Sequence, residues 1–149
     1  MEYNGLNYGR LGWIDMVALT AEIKETFGKI KLFPVATSSK TGIPNVAPIA
    51  FVVLVHDDTI WIADNYMNKT ITNLRENPMV ALYIWDAENK KCFQVKGSTE
   101  IKTNGPDYDK MKKMVIDKKP DAPAKSLVIM KITEAYSCLP GPGAGNKVL

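Results

Sequence analysis

Apolar residues follow a helical period at the start of the chain and a strand period afterwards. Ile14, Val17 and Ala21 recur at intervals of three and four, which predicts an amphipathic helix over residues 14–27. The later apolar segments are short and rich in β-branched residues, and turn residues such as Lys40-Thr41-Gly42 separate them. They predict six strands, over residues 31–39, 45–55, 59–63, 79–85, 92–103 and 125–135.

Two further helices are predicted between the strands. The first contains Ile71 and Leu74 and ends before Asn77-Pro78, and the second covers residues 107–118, just after Pro106. Six mainly antiparallel strands with few helices favour a small closed barrel over a parallel, doubly wound sheet. We therefore expect a mainly β fold with peripheral helices. A single domain over residues 1–149 is expected, with residues 139–149 as an irregular tail rich in glycine and proline.

The strand predicted over residues 45–55 carries two conflicting signals. Its residues are nearly all apolar after Pro48, which is typical of a strand covered on both faces. Pro48 itself cannot donate a hydrogen bond to a neighbouring strand. At that point the strand must lie at an edge, contain a bulge, or face something other than a neighbouring strand.

Composition and charge argue against nucleic-acid binding and membrane insertion as functions of this chain. The net charge of +3 is modest and the lysines are spread along the chain, which argues against nucleic acid as a partner. No apolar run approaches the roughly 20 residues that cross a bilayer, so we expect a cytoplasmic protein without a membrane partner. Cys92 and Cys138 are far apart in sequence and predict two reduced thiols.

Side chains for hydrolytic or metal chemistry are scarce, and we assign no catalytic residue and no metal ligand. The single histidine, His56, lies in a predicted turn beside Asp57 and Asp58. If the protein is an enzyme, a cofactor must supply its reactivity. The segment Asn68-Lys69-Thr70 begins a predicted helix, where free backbone N–H groups, a lysine and a hydroxyl suit an anion. With the proline-bearing strand nearby, it predicts a site for a phosphorylated ring compound; an exposed lysine beside an asparagine cap is the structural alternative.

The order of several short motifs resembles the FMN-binding split barrels related to pyridoxamine phosphate oxidase, over residues 33–135. The motifs are Val35-Ala36-Thr37 before Gly42-Ile43-Pro44, then residues 63–70 ending in Lys-Thr, residues 73–78, and residues 96–106. The resemblance is greatest to the short FMN-binding proteins of that group. It implies a six-stranded antiparallel split β-barrel that binds FMN and pairs as a homodimer, with a flavin at each end of the interface.

The resemblance also implies roles for individual residues. Lys69 and Thr70 are expected to hold the FMN phosphate. Four residues of the proline-bearing strand are expected to approach the ribityl chain and ring, and four more to flank the pyrimidine side of the ring. The first four are Val46, Ala47, Pro48 and Ile49, and the second four are Ile62, Ala63, Asp64 and Asn65.

Two departures from the oxidases argue against pyridoxamine phosphate oxidase activity. Cys92 stands where the glutamine of their Gln-Val-x-Val-x-Gly segment would fall, and basic substrate-reading residues are missing after Tyr136. We expect a flavoprotein for electron transfer or for oxidation or reduction of a small substrate, with a small molecule or a protein as redox partner. The alternatives are a non-catalytic flavin or haem storage module, or a deazaflavin-dependent reductase.

Overall fold

The computed structural model describes residues 16–149, which form a curled sheet with three helices packed around it. The helices are α1 (Ala21–Lys29), α2 (Lys69–Glu76) and α3 (Pro106–Lys118). The strands are β1 (Phe33–Ser38), β2 (Pro44–Ile49), β3 (Val52–His56), β4 (Thr59–Asp64), β5 (Met79–Asp86), β6 (Lys91–Lys102) and β7 (Ser126–Ser137). None of these helices is both long and apolar enough to span a bilayer.

The first helix begins later than the apolar period predicts. Ile14 and Asp15 lie outside the described residues, and α1 starts only after Thr20, whose hydroxyl accepts a hydrogen bond from the Ile23 amide at 3.3 Å. The amides of Val17 and Leu19 are not available to a helix, because they donate to Ile132 of β7 and Asp57 of the β3–β4 turn. The prediction of a helix over residues 14–27 was therefore wrong for residues 16–20.

All strand pairs are antiparallel, and the order across the sheet is β2-β1-β5-β6-β7-β4-β3. β2 and β3 are at opposite edges, yet only Ala50 and Phe51 separate them in sequence. Three peptide steps span at most about 11 Å, so the two edges must meet at this end of the sheet. Within residues 16–149, β2 and β3 do not pair with each other, which leaves a seam between them. The sheet is thus a split barrel, as predicted.

The barrel has seven strands, not six, because the chain changes partners within the predicted strand over residues 45–55. Ile49 is opposite Phe33 of β1, whereas Val52 is opposite Ile62 of β4. Between them the Val52 amide donates to the Ala50 carbonyl at 3.1 Å, which forms a tight turn. Pro48 lies in an edge strand, which is one of the three alternatives left open for it. The expected cover on both faces was wrong for β2, where Val46 is 67% exposed.

Two apolar cores hold the barrel together. The larger fills its interior with residues such as Val35, Ile62, Leu82 and Met130, closed by Ile23 and Phe27 of α1. The smaller lies between α3 and the outer faces of β4 and β7. β4 is therefore buried along its whole length, which fixes the position of the loop that follows it.

Residues 139–149 contain no helix or strand, and they turn back against β7. The Gly145 amide donates to the Ser137 carbonyl at 2.7 Å, and the Val148 amide donates to the Ala135 carbonyl at 2.7 Å. Leu149 packs against the main core. β4 pairs only with the first half of β7, so these residues occupy the edge that β4 leaves open.

Candidate functional site

An open cleft of about 630 Å³ lies along the seam of the barrel. One wall is β2, and the others are the β2–β3 connection, the loop after β4, the start of α2 and the end of α3. Several large apolar side chains on its rim face solvent, among them Leu32, Val46 and Tyr66, which is 70% exposed. A mainly apolar cleft with a few polar groups is typical of a small-molecule site.

The start of α2 brings backbone donors to this cleft. Asn68 precedes the helix, but its side chain makes no capping hydrogen bond, and the first turn carries no acidic residue. The first backbone N–H groups of a helix have no partner within the helix, and they carry the positive end of its dipole. Lys69 and Thr70 line the cleft at the same point. In the alternative interpretation, Asn68 caps the helix beside an exposed lysine, and the capping hydrogen bond that it requires is absent.

A polar network orients the Thr70 hydroxyl. The Asn45 amide group of β2 donates to the Thr70 hydroxyl at 3.1 Å and to the Thr37 hydroxyl at 3.2 Å, and Asn73 also donates to Thr37, at 3.0 Å. Because Thr70 accepts from Asn45, its own proton remains free for another acceptor. Thr70 is only 3% exposed, so that acceptor has to approach from the cleft.

Asp64 and Asn65 fix the loop that leads from β4 to α2. Asp64 is buried and accepts hydrogen bonds from the Ser126 hydroxyl and the Met67 amide, both at 3.0 Å. The Lys125 ammonium lies 3.5 Å from the Asp64 Oδ1 atom. Asn65 accepts from the Ala124 amide at 3.0 Å. These contacts tie the loop to the chain before β7 and set where α2 begins.

The structure brings eight of the ten predicted cofactor residues to the cleft. They are Val46, Ala47, Pro48, Ile49, Ala63, Asn65, Lys69 and Thr70. The other two are close in sequence but do not line it. Ile62 is fully buried in the main core, and Asp64 is buried beneath the loop.

Sequence reasoning missed the contribution of α3. Val115, Lys118 and Lys119 also line the cleft, and two lysines lie over aromatic rings of its rim. The Lys119 ammonium is 5.4 Å from the centre of the Tyr66 ring, and the Lys118 ammonium is 5.8 Å from that of Phe51. The sequence does not predict that Lys118 and Lys119 lie near Lys69, because only the packing of α3 on β4 brings them to the cleft.

The outer face of the sheet carries a second uncovered apolar surface. Met79, Tyr83 and Trp85 alternate along β5 with buried residues, and each is between 43% and 46% exposed. His56, the single histidine, is exposed at the end of β3, in agreement with the turn position predicted for it, and does not line the cleft.

Comparison with known proteins gives the family. The sequence profile of the pyridoxamine 5'-phosphate oxidase family matches residues 19–139. The chain belongs to this family. Within the pyridoxamine 5'-phosphate oxidase family, it is 39% identical over 138 residues to the uncharacterized protein MJ0282 of Methanocaldococcus jannaschii, and the match covers 90% of each chain.

Solved structures share the split barrel of this family. HupZ of Group A Streptococcus is 26% identical, with a TM-score of 0.73, and the match covers 85% of this chain and 99% of HupZ. An FMN-binding protein from Syntrophomonas wolfei is 20% identical, with a TM-score of 0.61 over 75% of this chain and 80% of its own. The heme storage protein HutZ of Vibrio cholerae has the same fold at 18% identity, a TM-score of 0.62, and coverage of 81% of this chain and 95% of its own.

Proposed function

We propose that the chain binds FMN in the cleft and uses it for electron transfer or for oxidation or reduction of a small substrate. The observation that carries the proposal is the uncapped start of α2 beside the free hydroxyl proton of Thr70. Together with Lys69 they offer charge-assisted donors to the phosphate of the cofactor. The family makes a flavin the natural first candidate.

The chemistry of β2 suits the ring and the ribityl chain. One edge of β2 pairs with β1, and its other edge has no strand partner among the described residues, so its main-chain groups are available to a planar heterocycle. Val46, Ala47, Pro48 and Ile49 add an apolar surface along the same strand. In this proposal Ala63 and Asn65 flank the ring, while Asp64 acts indirectly, by holding the loop.

When bound, FMN supplies reversible electron transfer, and the residues of the chain bind it, orient it and limit its contact with water. Absorption spectroscopy of the purified protein, reconstituted with FMN, tests the assignment. We expect the two flavin bands, stoichiometric binding and a loss of flavin fluorescence on titration. Failure to bind FMN at micromolar concentration would remove the proposal.

A deazaflavin cofactor is the second candidate, because Lys118 and Lys119 add cationic groups that sequence reasoning did not place in the cleft. Parallel titrations with FMN and with a deazaflavin separate the two. We expect FMN to bind more tightly, and double substitution of Lys118 and Lys119 by methionine to leave its affinity within about threefold. The assignment would be reversed if the wild type bound the deazaflavin more tightly than FMN and if the double substitution weakened deazaflavin binding more than FMN binding.

A haem storage role fits the cleft less well. The lining residues include no histidine and no cysteine, which are frequent haem ligands, although Tyr66 and Met67 are present. Titration with haemin gives the direct comparison. A Soret shift at lower concentration than FMN saturation would favour haem over flavin.

We also propose that the protein is a homodimer that buries the outer face of β5. Met79, Tyr83 and Trp85 form an exposed apolar strip on a sheet, and symmetric pairing is the commonest way in which such a surface is covered. A dimer would also provide further cover for an open cleft. The physiological redox partner is then a small molecule or a protein that reaches the cleft.

A further inference from the structure

The two cysteines, separated by forty-five residues in the sequence, are neighbours in the sheet. Phe93 is opposite Ser137, and one step further the Cys138 amide donates to the Cys92 carbonyl at 3.0 Å. Residues opposite each other in antiparallel strands have side chains on the same face, with Cα atoms about 5.5 Å apart when hydrogen-bonded. That separation lies within the range of about 4.4–6.8 Å that disulfides span.

The environment of the pair also affects its chemistry. Burial, followed by interaction with the neighbouring Cys138 thiol, raises the pKa of Cys92 to about 12. Cys92 is only 4% exposed, whereas Cys138 is half-buried at the end of β7, where the chain turns away from the sheet. Within one protomer, the Cys138 thiol is thus accessible to a small reagent, whereas the neighbouring Cys92 thiol is enclosed.

We propose that Cys92 and Cys138 are a modification site, a dithiol that a low-molecular-weight disulfide converts to an intrachain disulfide. The Cys138 sulfur attacks the reagent RSSR, which forms a mixed disulfide and releases one RSH. The Cys92 thiol then loses its proton and attacks the Cys138 sulfur, which releases a second RSH. Two electrons pass from the cysteines to the reagent, and the two thiol protons leave with the two RSH molecules.

The position of the bond gives it a structural effect. Residues 139–145 form a turn directly after Cys138, and the chain then returns along β7, where the Ser137 amide donates to the Asn146 carbonyl at 2.9 Å. A Cys92–Cys138 bond would fix the base of this turn to β6. It would therefore hold residues 139–149 against the open edge of β7, independently of whether the cleft contains a flavin.

The test treats the reduced, full-length protein with oxidised glutathione, blocks the remaining thiols under denaturing conditions, and measures mass and linked peptides. We expect the wild type to lose two hydrogens and to yield one peptide pair that joins Cys92 to Cys138. Cys92→Ser should stop at a stable glutathione adduct on Cys138, and Cys138→Ser should remain unmodified. A wild type that keeps both thiols, accumulates the adduct, or links two chains would overturn the proposal.

Two measurements on the wild type need no variant. The closing step requires the Cys92 thiolate, so its rate should rise about tenfold for each pH unit between pH 7 and pH 9. The oxidised protein should melt about 5 °C or more above the reduced one, with slower amide exchange at Ser137, Gly145 and Val148. Equal melting temperatures and equal exchange would mean that the bond does not hold this segment.

Discussion

At the scale of single residues, the anion site depends on which hydrogen-bonding groups are already satisfied. Thr70 accepts from Asn45, so the hydroxyl keeps its proton for a ligand, and Asn73 and Thr37 complete the network below it. A threonine without this acceptor role could turn its proton toward the protein. The network therefore orients the Thr70 hydroxyl so that it donates its hydrogen bond to a ligand in the cleft.

Substitutions of Lys69 and Thr70 should weaken FMN binding selectively. A charge-assisted hydrogen bond contributes roughly 1.5–3 kcal/mol, so Lys69→Met and Thr70→Val should each lower FMN affinity about tenfold or more. Riboflavin lacks the phosphate, and its affinity should change little. Fluorescence titration with both ligands measures the difference.

The matched control for this pair is Lys113→Met, which removes an exposed lysine of α3 that does not line the cleft. It should leave both affinities unchanged. Equal losses for FMN and riboflavin in the Lys69 and Thr70 variants would contradict the phosphate assignment, because damage to the fold weakens both ligands together.

At the scale of elements, the sequence predicts most strands to within two residues, since period, turn residues and proline act locally. It predicts Lys69 and Thr70 for the same reason, because a helix start is a local feature. It does not predict the break at Ala50 and Phe51, where the chain leaves β1 for β4, nor Lys118 and Lys119 in the cleft. Those depend on how distant elements pack, as does the meeting of the cysteines.

The close approach of β6 and β7 at Gly97 can be tested by adding a single methyl group. Gly97 lies at a bulge where β6 shifts register against β7, and a Cβ atom there would be 2.2 Å from the Lys131 carbonyl oxygen. Backbone cannot move aside as a flexible side chain does. Gly97→Ala should therefore lower the free energy of unfolding by about 3 kcal/mol, the upper end for overpacking, as measured by chemical denaturation.

Gly28→Ala is the control for that substitution. Gly28 is in α1 and exposed, and a Cβ atom there meets nothing within 4 Å. Alanine should stabilise the helix by up to about 1 kcal/mol. A Gly97→Ala variant as stable as the wild type would show that the close approach of β6 and β7 is not maintained in solution.

At the scale of the whole molecule, the exposed strip of β5 predicts assembly. Tyr83→Glu and Trp85→Glu each place a charge in the proposed dimer surface, so light scattering at micromolar concentration should show a shift from dimer to monomer. Ile116→Glu alters another exposed apolar residue, on α3, and should remain dimeric. A monomeric wild type with FMN bound would contradict the dimer.

Residues 139–149 connect the last strand to the stability of the whole barrel. The glycine and proline content of the segment predicts little regular structure. In the structure, residues 146–149 hydrogen-bond to β7 of their own chain, Leu149 packs against the main core, and no residue of the segment lines the cleft. Its contribution should therefore be to stability and not to the cofactor.

Removal of residues 146–149 should lower the free energy of unfolding by roughly 2 kcal/mol, because it deletes several backbone hydrogen bonds to β7 and the partly buried Leu149. FMN affinity of the folded protein should stay within about twofold. Val148→Ser changes an exposed side chain of the same segment and keeps its backbone, so it should leave stability unchanged. Denaturation curves and fluorescence titrations on the same samples separate the two effects. A truncated protein of wild-type stability that loses FMN faster would assign the segment to the cofactor of the partner subunit.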